Sequence, residues 1–455
     1  MTTTHTTISS RSWAMIRSLL VFFVAVALLT MNLNSGKVAA RSSAQQSTIV
    51  LQTAGAPFLD GTTQIVGNNP ANETNPHVSC NLVSYTYDDF QGLSTIRYHD
   101  LETGSDNLVP GNTVDLFSDI SGSRVAWTEV TFPGDTVRIF DTSSQVTTVV
   151  PGLGRSNPSI GGNLVAYEAR PDPHAGTPPV EITTYDLSTG TVTPLTNNSL
   201  SNMHPNVSPN GNAVVWDQCQ TFNVDCAVYA ALQTAPGVFT TRALTEPAGN
   251  FHLPSTNGET AVYVSGRSGE NDVYYQALAG GTEVHLAIPG DQRDATISGD
   301  LISFESQDQN GYDTFVYDIR SGKLFQVTKT PGDEFLSEIS VCNGVGRIVY
   351  SIVGDGAYDV YAVSFQVPSV TEDQIDDLIT LIRSFNLPPG TANSLITKLE
   401  HALSARDSGD MATACSLLTD FTNECAAQSG KKVTTDQAAQ LINSANQIKS
   451  DLGCQ

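Results

Sequence analysis

A tandem repeat constrains this chain more than any other feature. One pattern recurs seven times between about Asn75 and Phe365. A small polar turn precedes a short apolar strand that carries an aromatic residue. A polar gap follows, then a second strand that closes at a Gly turn. The first strand reads Leu82-Val83-Ser84-Tyr85, Val125-Ala126-Trp127, Leu164-Val165-Ala166-Tyr167, Val214-Val215-Trp216, Ala261-Val262-Tyr263, Leu301-Ile302-Ser303-Phe304 and Arg347-Ile348-Val349-Tyr350. The copies are spaced by roughly 40 to 49 residues, the period of a four-stranded blade. One such sheet cannot bury both faces alone, and packing against neighbours around a ring removes that exposure. The repeat predicts an all-β propeller of seven blades, with six as the alternative, over residues 75–367. An aromatic placed alike in every copy is expected in the packing between blades.

Ring closure needs a further strand, because the seventh copy ends near Phe365 with no evident outer strand. The segment 41–74 offers two candidates, Thr48 to Gln52 and Gln64 to Val66, and one of them is expected to complete the last blade. The first 40 residues read as an export signal. Arg11 and Arg17 precede the apolar run Leu19 to Leu29, and Val38-Ala39-Ala40 supplies small residues for cleavage. An uncleaved anchor is the alternative. No other stretch is long and apolar enough to span a membrane. The chain carries a net charge of −24. The signal segment holds three positive charges and no negative ones, so its removal leaves −27. Phosphate backbones repel such a surface, which argues against nucleic acid as a partner.

Seven Cys in an exported chain suggest disulfides. Cys219 and Cys226 can close a hairpin loop in the fourth copy. Cys80 and Cys342 sit in matching turns of the first and last copies, which ring closure would make neighbours. Cys415, Cys425 and Cys454 leave one thiol unpaired, and Cys415 with Cys454 is the expected staple. These three lie in the tail, 371–455, where the period changes to that of helices. Ile375, Leu378, Ile379 and Ile382 share one helix face. A second helix carries Leu395, Leu399 and Leu403, a third runs from about Met411 to Cys425, and a fourth begins at Thr434-Thr435-Asp436-Gln437. The tail therefore predicts a small all-α domain.

Several copies resemble the TolB-type propeller repeat, a relative of WD40. Pro205-Asn206-Val207-Ser208-Pro209-Asn210-Gly211 is similar to its turn, and Ser265-Gly266-Arg267-Ser268-Gly269 with Asp272-Val273-Tyr274 to its second half. Gly356-Ala357-Tyr358-Asp359-Val360-Tyr361 is a further match, whereas Ile160-Gly161-Gly162 and Ile297-Ser298-Gly299 replace the full turn. The tail resembles the FIMAH-type module. The likeness rests on Leu387-Pro388-Pro389-Gly390, Ser394 to Leu399, Ala414-Cys415, Phe421-Thr422-Asn423, Gly430-Lys431-Lys432 and Gly453-Cys454, and departs at Cys425. The two resemblances imply a fold and a bacterial extracellular setting, and neither implies a reaction.

Candidate chemistry lies where the loops enter the inner strands and open onto the channel mouth. His77, His204 and His252 occupy that place in the first, fourth and fifth copies, and Asp119, Asp294, Glu334 and Glu338 in others. Imidazoles and carboxylates converging on one axis can hold a divalent metal, as some propeller lyases acting on acidic sugars do. Solvated polarity at the rim is the alternative. A serine peptidase is not expected, since no Gly-x-Ser-x-Gly elbow occurs and the tail is short for a hydrolase domain. Asp308-Gln309-Asn310-Gly311-Tyr312-Asp313 looks like the start of a calcium loop but lacks the later Glu, and reads as a turn. The long segments Pro171 to Pro179 and Gln218 to Asp225 read as irregular loops available for contact. Together these features predict an exported, non-catalytic propeller without a required cofactor. Its expected partner is a protein or glycan at the cell envelope or outside it. A metal-dependent carbohydrate-active enzyme is the alternative.

Overall fold

The computed structural model describes residues 46–454 apart from 68–70, 113, 171–178, 222–223, 248–250, 309–310, 354–355 and 369. The described residues form two compact units, one ending at Gln366 and one beginning at Val367.

The first unit is a seven-bladed β-propeller. Blades 1 to 6 span residues 72–108, 115–149, 155–194, 201–243, 251–287 and 292–326, each an antiparallel meander of four strands. Blade 7 takes three strands from Glu334–Cys342, Val345–Val353 and Tyr358–Gln366. Its outer strand is Gly61–Gly67, antiparallel to Tyr358–Gln366, with Ile65 opposite Tyr361. The inner strands of consecutive blades touch all round the ring, blade 7 against blade 1 included.

The recurring aromatics hold the blades face to face. Tyr85, Trp127, Tyr167, Trp216, Tyr263, Phe304 and Tyr350 are all buried. Tyr85 packs with Val349, Val360 and Ala362 of blade 7, Trp127 with Ile96 of blade 1, and Trp216 with Leu164, Ala166 and Ile182 of blade 3. Each of these three rings thus fills the gap to the preceding blade. Burial of one such side chain stabilises the fold by about 1.5–3 kcal/mol.

The two candidate closing strands are both used, in different places. Gly61–Gly67 completes blade 7, while Gln46–Val50 runs parallel to Glu283–Ala287 as a fifth strand on the outer edge of blade 5. Between them, Gln326 of blade 6 donates its N–H to Pro57 and accepts that of Leu59. Residues 46–67 therefore strap the outer edges of three consecutive blades. Cys80 and Cys342 are bonded across the blade 1–blade 7 boundary, and Cys219 and Cys226 across the second hairpin of blade 4. The segment Gln218 to Asp225 is a correction to the sequence reading. Its described residues, 218–221 and 224–225, are strand and not irregular loop, with Gln218 opposite Ala227 and Thr221 opposite Val224. The disulfide and the β-branched Thr221 and Val224 carry the pairing outward.

The second unit has four helices, Val370–Ser384, Pro389–Asp407, Met411–Gln428 and Thr435–Asp451. Their shared core includes Ile375, Leu378, Leu395, Leu399, Leu418, Phe421, Leu441 and Ile448. The fourth helix begins with a capping box: Thr434 Oγ accepts the Gln437 N–H, and Gln437 Oε1 accepts the Thr434 N–H. Cys415 is bonded to Cys454, and Cys425 is a buried free thiol. No described helix is long and apolar enough to cross a membrane.

Candidate metal centre at the ring closure

Every inner strand breaks its register once. At each break one non-glycine residue takes a left-handed conformation: Asn75, Phe117, Asn157, His204, Leu253, Asp294 and Leu336, with φ between 50° and 55°. The partner strand skips the bulged residues in all seven blades. Left-handed backbone costs a non-glycine residue about 1–2 kcal/mol. Neighbouring blades offset part of that by binding the freed N–H groups. The N–H of Asn157 bonds Thr128 Oγ1 at 2.9 Å, that of His204 bonds Glu168 Oε1 at 3.1 Å, and that of Leu253 bonds Asp217 Oδ2 at 3.1 Å.

Two residues beyond each bulge lies a second ring of equivalent side chains: His77, Asp119, Ser159, Asn206, Ser255, Thr296 and Glu338. Six of the seven serve one purpose, accepting an inner-strand N–H of the next blade. Asp119 Oδ2 takes that of Ile160 (2.8 Å), Ser159 that of Val207 (3.0 Å) and Asn206 that of Thr256 (2.9 Å). Ser255 takes that of Ile297 (3.3 Å), Thr296 that of Ile339 (3.3 Å) and Glu338 Oε2 that of Val78 (2.9 Å). Two positions further on, Gly161 stands where five other blades carry Ser and blade 5 carries Asn257. A Cβ there would lie 1.9 Å from the Ser208 carbonyl oxygen, so this close approach of blade 4 requires glycine.

His77 is the exception in the ring. Its Nδ1 lies 3.1 Å from Glu338 Oε2 and 3.7 Å from Asp119 Oδ1. The Ile120 N–H, which its place in the ring would serve, bonds Asp119 Oδ1 at 2.7 Å instead. Burial alone would lower the His77 pKa, but the Glu338 carboxylate and then the Asp119 charge outweigh it and raise it from 6.5 to about 9. Burial pushes the Asp119 carboxyl up, against the charge of His77. Donor atoms of His77, Asp119 and Glu338 all lie within 4.8 Å of one another, the one such group of three among the described residues.

This grouping differs from the set read from the sequence. Among the described side chains, His77 and His204 do not share a group. His77, His204 and His252 belong to blades 1, 4 and 5, and the closed ring sets His77 beside blades 2 and 7 instead. His204 is the bulge residue of blade 4, with Nδ1 3.0 Å from the buried Asp217 Oδ2. Burial lowers its pKa, yet the Asp217 hydrogen bond and charge, with Glu168, raise it overall. His252 lies in the strand Phe251–Thr256, opposite Val264, and its side chain is outside the described residues. Asp294 is the bulge residue of blade 6 and accepts the Leu336 N–H at 3.2 Å. Glu334 is fully buried and accepts the hydroxyls of Thr314, Thr328 and Thr330. Residues 171–178 and 309–310, in the first contact loop and the calcium-like turn, are outside the described residues. Nearby, Asp313 accepts the Thr330 N–H at 3.0 Å.

A closed seven-bladed propeller with a His–carboxylate cluster at its closure defines the class of this molecule. No protein-family model matches the chain, and no curated protein does. Solved structures match the propeller. A prolyl endopeptidase structure aligns with TM-score 0.52 at 13% identity, covering 67% of this chain and 49% of that one. The β-propeller domain of the Trilobed protease from Pyrococcus furiosus aligns with TM-score 0.50 at 11% identity, covering 66% of this chain and 98% of that domain. TolB from Acinetobacter baumannii is also matched, at 17% identity and TM-score 0.36, covering 65% of this chain and 79% of that one. The chain spans about half the length of the endopeptidase. At these identities the likeness is one of fold.

Proposed function

We propose that this chain is an exported, non-catalytic TolB-like propeller that binds or scaffolds a protein or glycan at or outside the cell surface. The observation that carries the reading is the bulge ring itself. Phe117, Leu253 and Leu336 stand at equivalent places on the inner strands of blades 2, 5 and 7, and are 45%, 41% and 38% exposed. Among them stand the polar Asn75, Asn157, His204 and Asp294. Apolar side chains held in solvent on a rigid backbone suit recognition of a partner. Three disulfides suit an oxidising compartment outside the cytoplasm. The test is cross-linking to envelope extract, together with a glycan array, for the parent chain and for Phe117→Ser/Leu253→Ser/Leu336→Ser. A partner held by the parent and lost by the variant supports the reading. Equal retention by both contradicts it.

One observation favours a second reading, the cluster of His77, Asp119 and Glu338. On that reading the chain is a metal-dependent carbohydrate-active enzyme of lyase type, whose ion acidifies a sugar proton or a water at the channel mouth. Acidic polysaccharides incubated with the chain and Mn2+, Zn2+ or Ca2+ would then yield unsaturated products, and Glu338→Gln would abolish them. Absence of cleavage with every ion removes this reading.

A further inference from the structure

We propose that the ring-closure seam holds one first-row divalent cation, Zn2+ or Mn2+, on His77, Asp119 and Glu338. The inference stands apart from both functional readings, because an ion joining three blades needs no turnover.

Four of the seven ring positions show what the inter-blade hydrogen bond requires. Ser159, Asn206, Ser255 and Thr296 accept the neighbouring N–H without charge. The three remaining positions are contiguous around the ring, in blades 7, 1 and 2. They alone carry ionisable groups, more than the hydrogen bond demands. The middle one, His77, does not serve the Ile120 N–H at all. Its Nδ1 instead faces both carboxylates.

The spacing suits an ion. Donors about 2.0–2.2 Å from a metal stand about 3–3.5 Å apart when adjacent, and about 4.2 Å apart when opposite. Nδ1 of His77 is 3.1 Å from Glu338 and 3.7 Å from Asp119. Both carboxylates are fixed in advance by backbone N–H groups, Glu338 by Val78 and Asp119 by Ile120 and Ile160. Such outer hydrogen bonds hold ligands in place for a metal. An imidazole with two carboxylates favours Zn2+ or Mn2+ over Ca2+ or Mg2+. The side chains of His77 and Glu338 are 29% and 22% exposed, while Nδ1 of His77 is itself buried and without a hydrogen-bond partner.

The test titrates the metal-stripped full chain with Zn2+ alone and with Mn2+ alone, by calorimetry and by melting temperature. The inference expects one ion per chain and a raised melting temperature. Asp119→Asn/Glu338→Gln keeps acceptors for the Ile160 and Val78 N–H groups while removing both charges. That variant is expected to lose affinity by more than about a hundredfold, beyond the loss of an outer partner alone. His77→Gln provides a second variant with both carboxylates intact, and the same loss is expected. Equal binding by the parent and these variants, or no binding by the parent, overturns the inference and leaves an ion triad only. Ion binding without polysaccharide cleavage supports the inference while removing the enzymatic reading.

Discussion

Blades 3 to 7 hand on a backbone N–H through Ser159, Asn206, Ser255 and Thr296, whereas blades 7, 1 and 2 meet through Glu338, His77 and Asp119. The backbone geometry is the same at every junction, down to the bulge with φ near 50°. Around the meeting of the first and last blades, three adjacent ring positions are ionisable instead of neutral. That is also where the Cys80–Cys342 bond lies, where Ser340 Oγ accepts the Cys80 N–H, and where Gly61–Gly67 adds the outer strand. Junctions from blade 3 to blade 7 use neutral side chains at this ring, with the carboxylates of Glu168, Asp217 and Asp294 serving bulge N–H groups beside it. The junction between distant parts of the sequence has covalent, strand and charge contacts together, because closing so long a loop costs the most chain entropy.

That contrast can be broken at several points. Deleting residues 46–67 removes the outer strand of blade 7 and the buried Leu59 and Val66. Cooperative melting of the propeller, followed by circular dichroism, is expected to disappear, and an unchanged melt would contradict the role of the strap. Disulfide removal should be graded by loop length. Cys80 and Cys342 are 262 residues apart, Cys219 and Cys226 only 7. Replacement by Ser should cost about 4–5 kcal/mol for the first pair and about 2 kcal/mol for the second in denaturant unfolding. Similar costs would show that closure is not the vulnerable point.

Asp119→Ala leaves the Ile120 and Ile160 N–H groups without their acceptor and the His77 charge poorly compensated, so a loss of about 3 kcal/mol is expected. The pH dependence has a definite sign. His77 has its pKa raised from 6.5 to about 9, so its contribution is full below about pH 6.5 and is lost as pH rises through 9. About 2–3 kcal/mol should disappear between pH 7 and pH 10, and less in His77→Gln. His204, also raised, adds loss of the same sign in both proteins. A parent and variant with parallel pH profiles would show that His77 is not held charged by the seam. The smallest effect is expected at a neutral junction, where Ser159→Ala should cost about 1 kcal/mol.

The propeller was legible in the sequence because each blade repeats one buried aromatic at an equivalent strand position, and burial imposes that repetition. Tyr85 and Trp216 need the same apolar neighbours and so reappear in the same surroundings. The bulges were not legible. A two-residue alternation has no mark for Phe117 or Leu253 turning left-handed, and nothing in either side chain favours it. The parallel addition of Gln46–Val50 to blade 5 was hidden for a related reason, since an edge strand's pairing partner leaves no trace in its own alternation. The candidate site was half legible. His77, Asp119 and Glu338 each stood at the correct place in its repeat. Grouping by residue type joined His77 to His204 and His252, whereas the ring sorts residues by blade adjacency. Only the closed circle sets residue 338 beside residue 77.

A double-mutant cycle between His77→Gln and Glu338→Gln, run at pH 7 in chelator, tests the contrast between the seams most directly. Glu338→Gln keeps an acceptor for the Val78 N–H, so the cycle isolates the charge pairing. The charged seam predicts a coupling of about 1.5–3 kcal/mol. A coupling below about 0.5 kcal/mol would show His77 and Glu338 to be independent, and would contradict a seam held by charge.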